Sequence, residues 1–441
     1  MLDNVLSSST ATRNPAIFAP WSKIWTRVRT DFFWIVIIAF AIRLLVILLF
    51  RTYRFGPGPQ PYNFGYEMGR IGQAIAQGKG FSNIYHGATG PTSWEPPLYP
   101  YLVGGVFKLF GIYSHFSAIV LLTINSVFSA LTCIPVFLIA RRCFGEKTAI
   151  ASAWTWALYP WAIYWCTTWI WETVLSTLLL VILFWLTLSM EEHNGLKWWI
   201  QFGLLWGVAV LSNTSLTSFL PASGLWALGG YAKKKSKHWM AGAVVASLVF
   251  LACITPWEIR NYRTFGHLFL IRSDFGMILR MGNGPGARGT WMLSLMPSRN
   301  DAEFARYASM GEIAYAAAQK QEAMQFIKES PRRFLVLCVK RFYYFWGGNP
   351  RSSVLQLATL ENVFAIATSA ICFLGLIRSL CKRIPGAWLL FWIILLYPAV
   401  YYITYPNIRY RVPLDPYIVI IGIFLITGAE KQENASRQSQ R

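Results

Sequence analysis

The chain has 441 residues, of which 55% are hydrophobic, 16% are aromatic and only 13% are charged. Soluble globular domains carry about 25% charged residues, so this composition excludes an ordinary soluble domain. A formal net charge of +21 also occurs in nucleic-acid-binding proteins. Here the charges form short clusters between apolar runs, and we predict no nucleic-acid partner.

Long apolar runs predict an all-α transmembrane bundle of about ten spans, because a helix needs about 20 mostly apolar residues to cross a bilayer. The first run starts near Phe32 and is too long for the apolar part of a cleaved signal sequence, so we interpret it as a retained anchor. Several runs are short or closely spaced, and a count that differs by one or two also fits. The candidate spans are residues 32–50, 114–140, 148–166, 168–190, 199–213, 215–231, 238–256, 358–378, 386–404 and 414–428.

Basic residues in the short loops predict the orientation, since Lys and Arg are more frequent in cytoplasmic loops. With ten spans, these loops fall on one side together with both chain ends, so both termini are predicted to be cytoplasmic. The outer face is then the periplasm in a bacterium or the secretory lumen in a eukaryote, and we favour the bacterial inner membrane. The basic residues are Lys23, Arg27, Arg29, Arg141, Arg142, Lys147, Lys233, Lys234, Lys235, Lys237, Lys382 and Arg383.

Two long segments remain on the outer face, and both have the periodicity of amphipathic helices. In the first, apolar residues recur at helical spacing from Met68 to Ile75. In the second, residues 302–345 are predicted to be mostly helical with a break at Pro331, and the basic pair within FLVLCVKRFYYFW favours a helix along the membrane interface. The predicted parts are a cytoplasmic segment (1–31), a transmembrane module (32–256) with an outer catalytic loop (51–113), an outer-face helical segment (257–357), the last spans (358–428) and a cytoplasmic tail (429–441).

Three outer-face carboxylates are candidates for catalysis, because the chain has only 19 acidic residues and polar groups near spans often mark functional sites. Glu67 is either a general base in apolar surroundings or a solvated or capping carboxylate. Glu95 precedes Pro96, which restricts its backbone, and is either a second site carboxylate or a turn residue. Glu172 is either a site group or a favourable charge at a helix N-terminus. The Trp residues around it suit sugar stacking or an interfacial aromatic belt.

Polar side chains at the outer face are candidates for binding a phosphate, since guanidinium groups form paired hydrogen bonds to phosphate oxygens. The alternative for each is contact with ordinary lipid headgroups. One group follows the seventh span and another precedes the last span, and their location on one face favours a shared phosphate ligand. The candidates are Arg70, Arg260, Asn261, Arg409 and Arg411.

Other kinds of site lack support in the sequence. The five His residues have no metal-ligand spacing, and neither a GxxxxGK[ST] loop nor a GxGxxG motif is present. The seven Cys residues form no CxxC pair and are interpreted as packing residues. We therefore predict no cofactor, while the carboxylates leave a divalent cation open. Arg43 lies within the first span and needs a buried partner or must reach the interface.

Six strings, taken in order, resemble the GT-C superfamily of membrane glycosyltransferases. Within it the chain is similar to bacterial relatives of protein O-mannosyltransferases and of the lipid A aminoarabinose transferase, over roughly residues 32–428. The strings are YEMGRIGQAIAQGKGFS, TSWEPPLYPYLVGGVFKLFG, WETVLSTLLL, PWEIRNYRTFGHLFLIRSDFG, GNGPGARGT and RYRVPLDPY.

The resemblance implies a reaction in which a sugar moves from a polyprenyl phosphate to an acceptor on the outer face, with inversion and without a nucleotide. Glu67 then matches the proposed base, although many relatives have Asp there, often in a DE pair. Glu172 matches an acidic residue that shapes the site. Arg260 and Arg411 match arginines that hold the lipid phosphate.

Two other classes of function fit the composition. A transporter or flippase of a lipid-linked sugar would place ionisable groups near the middle of the bilayer and often show inverted repeats, whereas this chain has no evident repeat. A non-catalytic scaffold of the cell envelope is the second alternative. For the transferase, the expected partners are a polyprenyl-phosphate-linked sugar, membrane lipids and an acceptor that is a protein, a lipid-linked glycan or a lipopolysaccharide.

Overall fold

A computed structural model of the chain describes residues 19–56, 61–191, 193, 195–233, 239–348 and 358–429. Within these ranges the regular structure is helical and contains no β-strand, so the predicted all-α fold class is confirmed. Part of the predicted cytoplasmic regions lies outside the described residues: segment 1–18, the basic loop residues Lys234, Lys235 and Lys237, and the polar tail from Glu430 onward.

The α-helices are numbered in chain order. They are α1 (Ala19–Leu49), α2 (Tyr66–Ala76), α3 (Leu98–Phe110), α4 (His115–Leu131), α5 (Cys133–Phe144), α6 (Glu146–Leu158), α7 (Pro160–Thr168), α8 (Thr173–Ser189), α9 (Leu196–Ser212), α10 (Leu220–Lys233), α11 (Trp239–Phe265), α12 (Phe275–Gly282), α13 (Asp301–Met310), α14 (Glu312–Glu329), α15 (Pro331–Gly347), α16 (Ala358–Cys381), α17 (Ala387–Leu396), α18 (Ala399–Ile403) and α19 (Asp415–Thr427). Short 3₁₀ helices form at Tyr62–Phe64, Thr214–Phe219, Leu293–Leu295 and Ile408–Leu414.

Several predicted spans are pairs of shorter helices. The predicted span 148–166 is divided into α6 and α7, since Pro160 can begin a helix but lacks the N–H needed to continue one. The predicted span 386–404 is divided into α17 and α18 next to Pro398. In the same way α4 and α5 meet at Thr132 within the predicted span 114–140.

Apolar helices make the chain an integral membrane protein. Among the described residues, four stretches are long and apolar enough to cross a bilayer: His115–Phe144, Met240–Phe265, Leu360–Cys381 and Ile408–Thr427. Shorter apolar helices lie at Phe33–Leu49, Leu98–Phe110, Thr173–Ser189, Leu196–Ser212 and Ala387–Ile403. The total of about ten spans and their orientation stay predictions.

Helices α8 and α19 form the interior of the bundle. α8 is apolar and buried nearly all round, which is typical of a helix enclosed by other helices. On α19 the Tyr417 hydroxyl donates a hydrogen bond to the Leu180 carbonyl of α8 at 3.0 Å. Helices α11 and α16 instead expose large apolar side chains such as Leu248 and Leu374. Helices α8 and α19 are thus enclosed by other helices, whereas α11 and α16 present apolar side chains at the surface of the protein.

Arg43 is buried in α1 and finds its partners inside the bundle. Its Nη1 donates to the Ala157 carbonyl at 2.8 Å, near the C-terminus of α6, and its Nε donates to Ser129 Oγ at 2.9 Å. Carbonyl groups at a helix C-terminus carry partial negative charge, so they suit a cation. Of the two alternatives left open by the sequence, the buried partner is therefore the one found.

The segments 51–113 and 257–357 contain amphipathic helices, and the first segment also contains the apolar helix α3. α2 has the helical periodicity expected from Met68 onward, and α15 begins at Pro331, where the break was predicted. Helix α15 buries a single stripe that includes Leu337 and Arg341 and exposes apolar residues such as Val339. Arg341 donates hydrogen bonds to carbonyl groups at the end of α18. Its guanidinium therefore connects α15 to α18 inside the protein. The location of α15 along the membrane interface stays a prediction.

Candidate active site

A cavity of about 800 Å³ lies where residues of the segments 51–113 and 257–357 meet the ends of the bundle helices. Its wall includes all three carboxylates selected from the sequence, Glu67, Glu95 and Glu172. Of the five predicted phosphate ligands, Arg409 also lines it. The fold therefore brings four of the selected side chains, from distant parts of the sequence, into one chamber.

A close backbone contact joins the start of α2 to the residues before α8. Ile170 N–H donates to the Asn63 carbonyl at 2.8 Å, and Asn63 Nδ2 donates to the Thr168 carbonyl at 3.1 Å. Gly65 permits this approach: its φ is +68°, and a Cβ on it would lie 2.6 Å from the Ile170 carbonyl oxygen. This contact places the first turn of α2 and the first turn of α8 on the same cavity wall.

Glu67 lies in the first turn of α2 and is half-buried. Burial, followed by the nearby negative charge of Glu95, raises the pKa of Glu67 to about 7. A carboxylate with a pKa near neutral is about half ionised at neutral pH and binds a proton more strongly than an ordinary carboxylate does. Glu67 therefore has the protonation behaviour required of a general base.

Glu172 and Arg409 bring opposite charges to the cavity. Glu172 is buried at the residue before α8, and its Oε2 has no hydrogen-bond partner among the described residues. The Arg409 guanidinium lies over the ring of Trp171, and its buried Nη1 also lacks a partner in the described part of the chain. Buried polar atoms are normally hydrogen-bonded, so these two orphaned atoms indicate room for a ligand.

Arg272 and Asp274 add a charged pair that sequence reasoning missed as site residues. Arg272 Nη2 forms an ion pair with Asp274 and lies 3.5 Å from Glu95 Oε2, while its Nε donates to the Trp94 carbonyl at 2.8 Å. Burial raises the pKa of Asp274 to about 7, with the charge of Arg272 opposing that shift. Two opposite charges in the otherwise apolar string LFLIRSDFG were the available signal.

Two predicted phosphate ligands, Arg260 and Arg411, lie outside the cavity lining. Arg260 donates to the Thr92 and Phe81 carbonyl groups at 2.7 and 2.8 Å and so supports the loop before Glu95. Arg411 is buried and donates to the Ala365 carbonyl at 3.1 Å. Their hydrogen bonds connect parts of the protein to one another.

Asn261 and Arg70 also lie outside the lining. The Asn261 amide is buried, with Nδ2 3.5 Å from the Ile271 carbonyl oxygen. The Arg70 guanidinium lies over the Tyr66 ring, 4.6 Å from its centroid. Among the predicted phosphate ligands, Arg409 is thus the one that faces the cavity.

An aromatic wall, formed by Tyr62, Trp165, Trp169 and Trp171, lines another part of the cavity. Its rings are held in place: Trp169 Nε1 donates to the Tyr164 hydroxyl at 3.0 Å. Hydroxyl and amide side chains of the segment 213–218 also line the cavity. The chamber thus combines flat apolar faces with hydrogen-bonding groups, which is the kind of surface that suits a sugar. No group of three or more His, Cys, Asp or Glu suited to a metal ion is found in the described residues.

The architecture is similar to that of known membrane transferases. The apo oligosaccharyltransferase of Archaeoglobus fulgidus superposes with a TM-score of 0.53 at 14% identity, over 90% of this chain and 50% of that chain. AglB of the same organism, in complex with an inhibitory peptide and a dolichol-phosphate, gives 0.52 at 14% identity, over 93% and 53%. ArnT of Cupriavidus metallidurans bound to undecaprenyl phosphate is less similar, at 0.39 and 12% identity over 90% and 77%. The chain therefore spans about half the length of the oligosaccharyltransferases and shares the fold of the part that it covers.

A match to a family model indicates more specifically which transferases the chain is similar to. Residues 94–259 match the model described as dolichyl-phosphate-mannose-protein mannosyltransferase. The matched region contains Glu95 and Glu172 and ends directly before Arg260. No curated protein matches the chain by sequence. The predicted resemblance to GT-C transferases of the mannosyltransferase type is thus confirmed.

Proposed function

We propose that the chain is an inverting glycosyltransferase that moves a sugar from a polyprenyl-phosphate donor to an acceptor hydroxyl at the outer face of the membrane. The observation that carries this proposal is the shared cavity of Glu67, Glu172 and Arg409, with its orphaned donor and acceptor atoms. Displacement of a phosphate leaving group requires a base for the incoming hydroxyl and a cation for the departing negative charge. Glu67 is the proposed base, and Arg409 is the proposed cation.

In the proposed reaction, Glu67 accepts the proton of the acceptor hydroxyl while that oxygen attacks the anomeric carbon of the donor. The bond from this carbon to the phosphate oxygen breaks on the opposite side, which inverts the configuration. Polyprenyl phosphate leaves with one more negative charge than it carried in the donor. The proton remains on Glu67 until it exchanges with solvent.

Arg409 and Arg272 are the proposed partners of the phosphate. Both line the cavity, and the N–H groups of a guanidinium bind phosphate oxygens with favourable geometry. Because charge accumulates on the phosphate as the sugar leaves, these cations stabilise the transition state more than the bound donor. The proposal does not extend to Arg70, Arg260, Asn261 and Arg411, which lie outside the cavity lining.

The family match and a structurally similar protein support a lipid-linked donor. The matching family model is named for dolichyl-phosphate-mannose, and the AglB structure contains a dolichol-phosphate. We extend this to a polyprenyl phosphate here and place the reaction at the periplasmic face of a bacterial inner membrane, with both termini in the cytoplasm. The acceptor is a hydroxyl-bearing protein, glycan or lipid, and no dedicated cofactor is part of the proposal.

The proposal is tested by turnover of purified protein in detergent with a panel of polyprenyl-phosphate sugars and hydroxyl acceptors. Wild type should release polyprenyl phosphate from at least one donor. Glu67→Gln keeps the size of the side chain and removes the base, so we expect a loss of about 10²-fold or more in rate. Glu322→Gln is the matched control, because Glu322 pairs with Arg280 and Arg306 away from the cavity.

The outcomes separate the alternatives. If wild type and Glu67→Gln turn over the donor equally, the chain is still a transferase, but the base is then Glu95 or Glu172. No turnover of any donor contradicts the transferase, and uptake of the same lipid-linked sugars across proteoliposome membranes then tests the transporter. A loss in Glu322→Gln equal to that in Glu67→Gln shows that the effect is not specific to the cavity.

A further inference from the structure

Two loops that carry cavity residues are joined to each other by hydrogen bonds. The first, residues 92–95, ends at Glu95, and the second, residues 271–274, contains Arg272 and Asp274. Ser273 N–H donates to the Ser93 carbonyl at 3.0 Å, and Ser93 Oγ donates to the Ile271 carbonyl at 2.9 Å. The relative position of these three charged side chains therefore depends on how the loops are held together.

The second loop begins with an unusual backbone conformation. Ile271 has φ of +60°, which is strained for a β-branched residue and persists only when neighbours hold it. Ile271 N–H donates to Glu258 Oε1 at 2.8 Å, and Trp257 Nε1 donates to the Ile271 carbonyl at 2.9 Å. Trp257 and Glu258, from the string PWEIRN near the end of α11, thus hold the backbone of Ile271 directly before Arg272.

A buried carboxylate, Glu312, connects both loops at the first residue of α14. Its Oε1 accepts hydrogen bonds from Ser93 N–H at 2.7 Å and from Ser273 Oγ at 2.6 Å. Its Oε2 accepts from Thr92 Oγ1 and from the Tyr307 hydroxyl. The side chain is 5% exposed and is absent from the cavity lining. An ionised carboxylate has about four acceptor positions, so this set of four donors suits it.

We propose that Glu312 is a positioning residue, which holds the loop of Glu95 and the loop of Arg272 and Asp274 in the geometry needed for transfer. It acts through the hydrogen bonds of its two oxygens to Thr92, Ser93 and Ser273, without touching the substrate. Because these loops end in charged cavity residues, a small shift at Glu312 becomes a displacement of the groups around the phosphate. This inference rests on the proposed transferase activity.

The carboxylate is poorly replaced by an apolar side chain. Alanine would leave the buried Ser93 N–H and the hydroxyl groups around it without partners, a situation that destabilises the local structure. Glutamine keeps one acceptor oxygen for Ser93 and Ser273, and its amide can donate to the hydroxyl oxygens of Thr92 and Tyr307. Glu312→Gln should therefore retain the loop arrangement that Glu312→Ala loses.

The test combines kinetics with hydrogen–deuterium exchange of the full-length protein in detergent. In Glu312→Ala we expect a fall in kcat of about 10²-fold with little change in donor KM, since a misplacement of about 1 Å affects the transition state most. Exchange should accelerate in peptides covering 92–95 and 271–274. Glu312→Gln should restore most of kcat and the protection of both loops.

Glu303→Ala provides the matched control. Glu303 is also a carboxylate of the outer segment, where it accepts hydrogen bonds from Tyr315 and Gln319, but no bond to either cavity loop is found among its described contacts. It should leave kcat and loop exchange as in wild type. If Glu312→Ala does not fold, Ser273→Ala removes one of the loop contacts at smaller cost and should produce the same two effects to a lesser degree.

Each outcome decides the proposal. Loops that exchange as in wild type in Glu312→Ala and Ser273→Ala overturn it, as does faster exchange with unchanged kcat. Equal losses of kcat in Glu312→Gln and Glu312→Ala also contradict the proposal, because the effect would then come from the negative charge and not from the hydrogen bonds. If wild type turns over no donor, the proposed transferase fails, while the exchange measurement still decides whether Glu312 holds the loops.

Discussion

The guanidinium of Arg409 lies over the indole of Trp171, with 3.7 Å from Cζ to the ring centroid. Trp171 directly precedes Glu172, and Arg409 belongs to the 3₁₀ helix Ile408–Leu414, so the contact joins two distant parts of the chain at the cavity wall. Stacking on the indole restricts the plane of the guanidinium, and its Nη1, which has no partner among the described residues, is available to a ligand. This contact orients Arg409 in advance for the phosphate that we propose it binds.

Arg409→Lys tests this orientation. Lysine keeps the charge but loses the planar fork and the stacking, so we expect binding of polyprenyl phosphate to weaken about tenfold or more, since a hydrogen bond to a charged group contributes about 1.5–3 kcal/mol. The measurement is the Kd of polyprenyl phosphate, together with donor KM. Arg306→Lys is the control, because Arg306 pairs with Glu322 outside the cavity. An unchanged Kd in Arg409→Lys would show that the guanidinium of Arg409 does not bind the phosphate.

Gly65→Ala tests the backbone contact that brings α2 to the start of α8. The substitution places a Cβ 2.6 Å from the Ile170 carbonyl oxygen and also imposes the left-handed strain of φ +68°. Gly78→Ala is matched, because Gly78 has φ +76° but open space around its Cβ position. Both variants should lose about 1–2 kcal/mol from strain, whereas only Gly65→Ala should also lose transfer activity. Equal activity in the two variants would show that the contact does not position Glu67.

Much of the fold could be predicted from apolar runs, because a long apolar segment has few stable alternatives to a membrane helix. The breaks inside those runs could not. Residues 148–166 stay apolar across Pro160, and residues 114–140 stay apolar across Thr132, so hydropathy registers one span where the chain forms two helices. An interruption of the helix leaves the hydropathy of these segments unchanged, and only Pro160 gave a local sequence signal.

The site could be predicted in part. Glu67, Glu172 and Arg409 could be selected because a charged residue beside a membrane helix is rare enough to be informative. The direction of each side chain could not be read in the same way. Arg409 and Arg411 are two residues apart in a 3₁₀ helix of about three residues per turn, so they point in different directions, one to the cavity and one to the protein interior. The position of Arg272 likewise depends on the fold of a long outer segment.

The pH dependence of transfer follows from the pKa of Glu67, which burial and the charge of Glu95 raise to about 7. The base is active only when deprotonated, so kcat/KM should rise with pH up to about 7 and level off above it. Glu95→Gln removes one of the charges that raise this pKa, and the rising limb should then move to lower pH. The measurement is kcat/KM from about pH 5 to about pH 9 for both proteins. An identical profile in Glu95→Gln would exclude coupling between the two carboxylates.

The same raised pKa predicts the effect of Glu67→Gln on stability. Because the folded-state pKa is about 7 and the ordinary value is 4.5, ionisation of Glu67 opposes folding, and this cost grows as pH rises from the lower value to the higher one. Wild type and Glu67→Gln should therefore have similar melting temperatures near pH 4.5. Above pH 7 the variant should be more stable.

Glu322 offers a control of opposite sign. Burial alone would raise the pKa of Glu322, but its bonds with Arg306 and Arg280 outweigh that effect and lower it. Ionised Glu322 therefore favours folding above its ordinary pKa, and Glu322→Gln should lower the melting temperature at neutral pH and have little effect in acid. Thermal unfolding of both variants in detergent, at acidic and at neutral pH, measures these two opposite changes in melting temperature. If Glu67→Gln is destabilised at neutral pH as Glu322→Gln is, then the ionised form of Glu67 is stabilised in the folded protein and its pKa is not raised. Glu67 would then be a solvated or paired carboxylate rather than the base.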